Sequence, residues 1–160
     1  MWFPRASTRA APWLYGRAKF VGHGDGPAAI VVNSGNSNAF TGRNGIESTR
    51  AVTGAAAKAL GIDETRVFSS STGVIGEPLP HDRIVAKMDE LTGNLSPDGI
   101  EEAAKAIMTT DTYPKGASAE VQIGGKTEEI AGIAQGPGNT RPEQATSPGY
   151  NGPEANHDSR

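Results

Sequence analysis

Residues 28–40 read AAIVVNSGNSNAF, an apolar run from Ala28 to Val32 that breaks into Asn33-Ser34-Gly35. A short unbroken apolar stretch bounded by turn residues is the pattern of a buried strand. The next stretch changes period. Between Ile46 and Leu60, Val52, Ala55, Ala56, Ala59 and Leu60 recur at helical spacing, and Gly61 stands where a helix end favours a left-handed residue. Gly54 weakens that helix slightly. Arg66-Val67-Phe68-Ser69 then returns to strand character. Downstream, Pro80 introduces a helix from His81 to Leu91 with Ile84, Met88 and Leu91 on one face and Gly93 at its close. Ser96-Pro97 opens a third helix in the N-cap and N1 arrangement, with Ile100, Ala103, Ala104, Ile107 and Met108 as its stripe. Ala119-Val121-Ile123 alternates into Gly124-Gly125 and on to Thr127-Glu128-Glu129-Ile130, a hairpin with a glycine turn. The order β, α, β, α, α, β, β predicts a mixed α/β domain.

The ends look different. Residues 136–160, GPGNTRPEQATSPGYNGPEANHDSR, carry Tyr150 as their only large apolar side chain, so disorder is expected there. Residues 1–15 are expected to be a loose segment, with Pro4 and Pro12 breaking any helix, although Trp2, Phe3, Trp13 and Leu14 could dock. The foldable body is therefore 16–135, and no internal repeat is visible.

The composition bounds the function. A chain of 160 residues suits one domain. Lys+Arg 15 against Asp+Glu 18 gives a net charge of −3, with no basic excess for a nucleic-acid partner and no acidic tail. Cys 0 excludes disulfide staples, thiol nucleophiles and Cys-based zinc sites. No apolar run approaches the roughly 18 residues that span a bilayer, and MWFPRASTRAAPW lacks the apolar stretch of a secretory signal. A cytoplasmic protein with no membrane partner is expected. Hydrophobic residues at 36% with Gly 21 and Pro 11 describe a modest core with loose ends.

Three polar stretches could carry chemistry. Asn33, Asn36 and Asn38 crowd the turn after the first strand, where asparagines build elaborate structural turns or, at a strand end, the polar wall of a ligand site. Ser69-Ser70-Ser71-Thr72-Gly73-Val74-Ile75-Gly76 leaves the second strand with glycines that let backbone approach a ligand, and its amides could hold an anion or an oxyanion. It lacks the P-loop spacing and a nearby Lys, and a plain glycine turn explains it equally well. Thr109-Thr110-Asp111-Thr112 is either a polar helix exit or a substrate-binding row. His23, His81 and His157 share no ligand-like spacing and are expected at the surface, so any nucleophile should be Ser or Thr with an unconventional base.

The stretches AIVVNSGNSNAFTG at 29–42, VFSSSTGVIGEPLP at 67–80 and AKAIMTTDTYPK at 104–115, in this order, resemble the ornithine acetyltransferases, the bifunctional glutamate N-acetyltransferases of arginine biosynthesis. The resemblance covers about residues 10–135. It implies an N-terminal-nucleophile-like α/β fold, a mixed sheet with packed helices, in which a precursor cleaves itself at an Ala-Thr bond and the freed Thr becomes the nucleophile. By resemblance, Thr72 and Gly73 match the oxyanion hole, Thr109 or Thr110 contacts substrate, and Ala145-Thr146 stands at the cleavage junction. Thr146 would attack the acetyl carbonyl of N-acetylornithine with its own α-amine as base, and glutamate would accept the acetyl group. The family implies no metal and no tightly bound cofactor, leaves acetyl-CoA open as a co-substrate, and implies a second chain as partner in a hetero-oligomer.

The departures lie around the junction. Gln135 replaces the family's substrate-binding Lys, and Asn139, Thr140, Gln144, Ser147 and Pro148 replace its apolar strand residues. Pro148 removes a ladder donor close to the nucleophile. The chain ends soon after Thr146, so a truncated and degraded family member is expected. The alternative to an acetyltransferase is an inactive fragment or subunit that needs a separate partner chain.

Overall fold

The computed structural model describes residues 10–19, 26–136 and 149–153. These fall into two compact units, 1–96 and 97–160, each built around its own sheet.

In the first unit, α1 (Ala11–Lys19) precedes β1 (Ala29–Asn36), α2 (Gly42–Leu60) and β2 (Val67–Val74). β1 and β2 pair in parallel, from Ala29 opposite Val67 to Gly35 opposite Gly73. Parallel neighbours need a crossover, and α2 provides it. Its buried positions Gly45, Ser48, Thr49, Val52, Thr53, Ala56 and Ala57 recur every three or four residues, so one stripe of small side chains lies on the strands. The core gathers Val52, Ala56, Ala57, Val67 and Met88, with Val31, Ile62 and Ile84 packed against it. Gly61 closes α2 in the left-handed conformation expected of it (φ 65°), and the Ile62 amide reaches back to the Ala57 carbonyl at 3.1 Å.

Two expectations change here. Pro12 does not break α1, because it sits in the first turn, where its missing N–H has no intrahelical partner in any case. α1 is fastened by polar side chains: Tyr15 donates to Glu64 Oε1 at 2.6 Å, and Lys19 Nζ donates to the carbonyls of Glu64 at 2.7 Å and Val67 at 3.2 Å. The helix expected over 81–91 is two short ones, α3 (His81–Val85) and α4 (Met88–Gly93). The Lys87 amide bonds the Ile84 carbonyl three residues back, which tightens the turn between them. Met88 stays buried, whereas Leu91 is rotated out and exposed.

In the second unit a 3₁₀ turn over Pro97–Gly99 leads into α5 (Ile100–Ala106). Ala104 and Ile107 of the expected stripe are buried, and Ile100 is exposed. β3 (Lys115–Ile123) and β4 (Lys126–Ala134) form the expected antiparallel hairpin, with Gly124 and Gly125 both at positive φ in its turn. β5 (Gly149–Pro153) pairs antiparallel with β4, so part of the stretch expected to be disordered is a strand. The junction Ala145-Thr146 lies outside the described residues. Helices and strands of both pairing senses make the chain the mixed α/β protein that its periodicities predict. No helix among the described residues is long and apolar enough to cross a membrane.

Candidate functional site

Thr72 and Gly73 stand at the end of β2, opposite Ser34 and Gly35. Gly73 has φ 129°, and a Cβ on it would lie 2.3 Å from the Gly35 carbonyl carbon. The two glycines thus allow a backbone approach that no other residue tolerates at position 73. The turn beyond is held by main-chain and amide contacts. Ser37 donates to the Val74 carbonyl from its amide at 2.9 Å and from its hydroxyl at 2.8 Å, and the Gly76 amide donates to Ala39 at 2.9 Å. Asn36 Nδ2 donates to the carbonyls of Glu77 at 3.0 Å and Pro78 at 3.3 Å.

The other asparagines are equally committed. Asn33 Nδ2 bonds the Asn36 carbonyl at 2.8 Å, and Asn36 Oδ1 accepts from the Asn38 amide at 2.8 Å. Asn38 is fully buried with φ 46°, donates to the Gly45 carbonyl at 3.0 Å and Thr49 Oγ1 at 3.1 Å, and accepts from Thr41 at 2.8 Å. Of the two readings left open by the sequence, the structural turn is the one these bonds describe. What the turn braces is the 72–78 segment. Behind it lies a recess with room for about one water molecule, lined by Asn33, Ser69, Ser71 and Thr49 among others.

His81 is half-buried and not simply a surface residue: its Nδ1 lies 3.0 Å from Ser48 Oγ. Its Nε2 is 3.6 Å from Asp82, giving a triad-like sequence of contacts. Ser48 is only 3% exposed, however, so no substrate reaches it, and the pair fastens α2 to α3.

In the second unit the threonine row follows α5. Thr109 Oγ1 donates to Gln135 Oε1 at 3.3 Å, so the structure brings these two expected site residues together from the two ends of the hairpin. Gln135 is 6% exposed; Thr110 faces solvent and makes no such contact. The residue that organises the cluster is Asp111, which the sequence offered only as one member of a polar helix exit or a substrate-binding row. Its side chain is fully buried. Oδ1 accepts from Lys115 Nζ at 2.7 Å and from the Gly136 amide at 2.6 Å, and Oδ2 accepts from the Thr109 amide at 3.1 Å. Burial pushes the carboxyl up, but the bonds from Lys115, Gly136 and Thr109 outweigh it and hold Asp111 below the usual carboxylate range. The signal in the sequence is the four-residue spacing Asp111–Lys115 directly after the helix. Lys115 Nζ also lies 4.4 Å from the centre of the Tyr113 ring. Among the described residues no group of three or more His, Asp or Glu is placed to hold a metal ion.

A family profile described as the ArgJ family matches residues 1–153. The chain is similar to the arginine biosynthesis bifunctional protein ArgJ of Ruegeria pomeroyi, 59% identical over 144 residues, 90% of this chain and 35% of that protein. It is 54% identical to the ArgJ of Rhizobium meliloti over 118 residues, 74% of this chain and 29% of the relative. The chain therefore spans about a third of the length of the curated relatives it matches. Among solved structures, ArgJ from Bacillus halodurans superposes with a TM-score of 0.76 at 33% identity, covering 88% of this chain and 73% of that one. The ornithine acetyltransferase of Mycobacterium tuberculosis, solved with ornithine, gives 0.68 at 29% identity over 88% and 74%. With a profile match over nearly its whole length and the α/β fold of two solved members, the chain belongs to the ArgJ family.

Proposed function

We propose that this chain carries the first part of a glutamate N-acetyltransferase, moving an acetyl group from N-acetylornithine to glutamate in arginine biosynthesis, in the cytoplasm. The observation that carries the reading is the family match over residues 1–153, which includes Thr72, Gly73, the threonine row, Gln135 and Ala145-Thr146. In this reaction the Thr146 hydroxyl, freed at its α-amine by cleavage after Ala145, attacks the acetyl carbon. The Thr proton passes to the α-amine, and the carbonyl oxygen becomes an oxyanion at Thr72 and Gly73. Collapse breaks the C–N bond, ornithine leaves with the proton, and the glutamate amine takes the acetyl group from the ester. Thr109 with Gln135 forms the substrate row. This reading calls for no metal and no tightly bound cofactor, and it leaves acetyl-CoA open as a co-substrate.

A second reading is that these residues act only when joined by a further chain of the same enzyme. Its support is Ile30, an apolar residue of β1 left 53% exposed on the two-stranded β1–β2 sheet. Purified chain is incubated with N-acetylornithine and glutamate, alone and with the remaining part of Ruegeria pomeroyi ArgJ. Release of ornithine in the mixture only, with a fragment beginning at Thr146 raised by one acetyl group when glutamate is left out, would favour the second reading. Release by the chain alone would favour the first, and release in neither would overturn the assignment. Thr146→Ala should abolish both cleavage and release.

A further inference from the structure

Asp111 lies in the turn between α5 and β3, two residues after Thr109 and four before Lys115. A buried carboxylate is costly unless donors surround it. Its three donors come from three places: the threonine row (Thr109 N), the first residue of β3 (Lys115 Nζ) and the chain leaving β4 (Gly136 N). A carboxylate that merely closed its own turn would need the Thr109 amide alone. The bond to Gly136 reaches 25 positions along the chain, to the residue beside Gln135. The neighbours of these donors, the Thr109 hydroxyl and the Gln135 amide, meet at 3.3 Å.

We infer that Asp111 is the positioning residue of the Thr109–Gln135 pair: its carboxylate fixes where that hydroxyl and that amide stand, and so sets how the pair meets a ligand. The inference rests on the substrate row proposed above. Thr109 and Gln135 are uncharged, and the charge of Lys115 is taken up by Asp111. Thr109 is exposed and Gln135 is buried, so the Thr109 hydroxyl is the group a ligand can reach, a neutral partner for a polar group such as the N-acetyl amide of N-acetylornithine. Lys115 is the charged group against Asp111; on α5, Lys105 is occupied by Glu101 and Glu102.

The test uses the whole chain, nitrogen-15 labelled, followed by NMR across acidic pH. The amide signals of Gly136 and Thr109 should move together with one midpoint below the usual Asp range. Asp111→Asn should speed exchange of the Gly136 amide at least about tenfold while amides of the β3–β4 hairpin keep their protection. Lys115→Gln retains the carboxylate and both amide bonds, so the midpoint should rise while Gly136 stays protected; this variant decides if Asp111→Asn unfolds the hairpin. A Gly136 amide that ignores the titration, or whose exchange is the same in Asp111→Asn, overturns the inference. Added N-acetylornithine should shift the Thr109 and Gln135 signals, with affinity weakening about tenfold as pH falls through the Asp111 midpoint and the hairpin still folded. Affinity constant across that midpoint also overturns it. Absence of any ligand shift at any pH overturns the row's substrate role instead, and the exchange and titration results then decide the positioning by themselves.

Discussion

The turn after β2 and the cluster after α5 solve one problem by different chemistry. Both hold polar groups at a strand or helix exit in a fixed place. The 72–78 turn does it with neutral parts: glycines at 73 and 76, the amide and hydroxyl of Ser37, and the carboxamide of Asn36. The 109–136 cluster does it with one buried carboxylate and its cation. Neutral bonds of this kind each contribute about 0.5–1.5 kcal/mol and do not titrate, whereas bonds to a charge contribute about 1.5–3 and vanish with it. One site is therefore rigid at all ordinary pH, and the other carries its own acid sensitivity.

The sharpest way to break the contrast is Gly73→Ala. The new methyl would strike the Gly35 backbone and sit at a φ that alanine avoids, so unfolding in urea should show a loss of about 2–5 kcal/mol. A loss below about 1 kcal/mol would mean that the strands part easily there, and the turn would not be braced. Next comes the functional split in enzyme that transfers acetyl groups. Thr72→Ala keeps the amide but removes the hydroxyl as an oxyanion donor, so it should lower kcat roughly 100- to 1000-fold with KM little changed. Thr109→Ala should raise KM for N-acetylornithine and spare kcat. Steady-state kinetics reads both, and equal effects on both parameters would erase the distinction.

Asp111→Asn should cost about 1.5–3 kcal/mol at neutral pH. In the wild type the folded carboxyl lies below its unfolded value, so this stability is complete above the unfolded value and is lost as pH falls through the folded one. Exchange of the Gly136 amide at several pH values measures it, and Asp111→Asn should flatten the profile. The smallest effect is expected from Ser37→Ala, about 0.5–1.5 kcal/mol, because the Val74 carbonyl keeps its bond from the Ser37 amide once the hydroxyl is gone. Its loss should not vary with pH.

Much of the neutral half was legible beforehand. Gly61, Gly73 and the Gly124-Gly125 turn stand out because only glycine takes those conformations cheaply; of the stripe expected on α2, Val52 and Ala56 are buried, but Ser48, Thr49, Thr53 and Ala57 complete it in place of Ala55, Ala59 and Leu60. The asparagine turn was visible, yet its alternatives parted only when each side chain was found bonded to nearby backbone. Asp111 stayed hidden because its decisive partner, Gly136, is distant in sequence and contributes only an amide, which no residue identity announces. The break between α3 and α4 was equally opaque: one shortened hydrogen bond at Lys87 turns Leu91 outward without any Pro or Gly to mark it. At α1 the error was positional, since proline disrupts a helix interior but not its first turn.

The two pairings also differ in how soon they can form. The β3–β4 hairpin closes over Gly124-Gly125, so its first contacts join near neighbours in the chain. Ala29 must instead find Val67 across the whole of α2. By loop-closure entropy the second encounter costs about 2 kcal/mol more before any contact repays it. The hairpin should therefore appear in microseconds and the parallel pair only after α2 has taken shape, leaving the edge of β1 unclaimed for that interval. During synthesis that edge emerges ahead of α2 and waits until β2 has followed it. It is the stretch where a chaperone, or a second nascent copy, has the longest opportunity to bind.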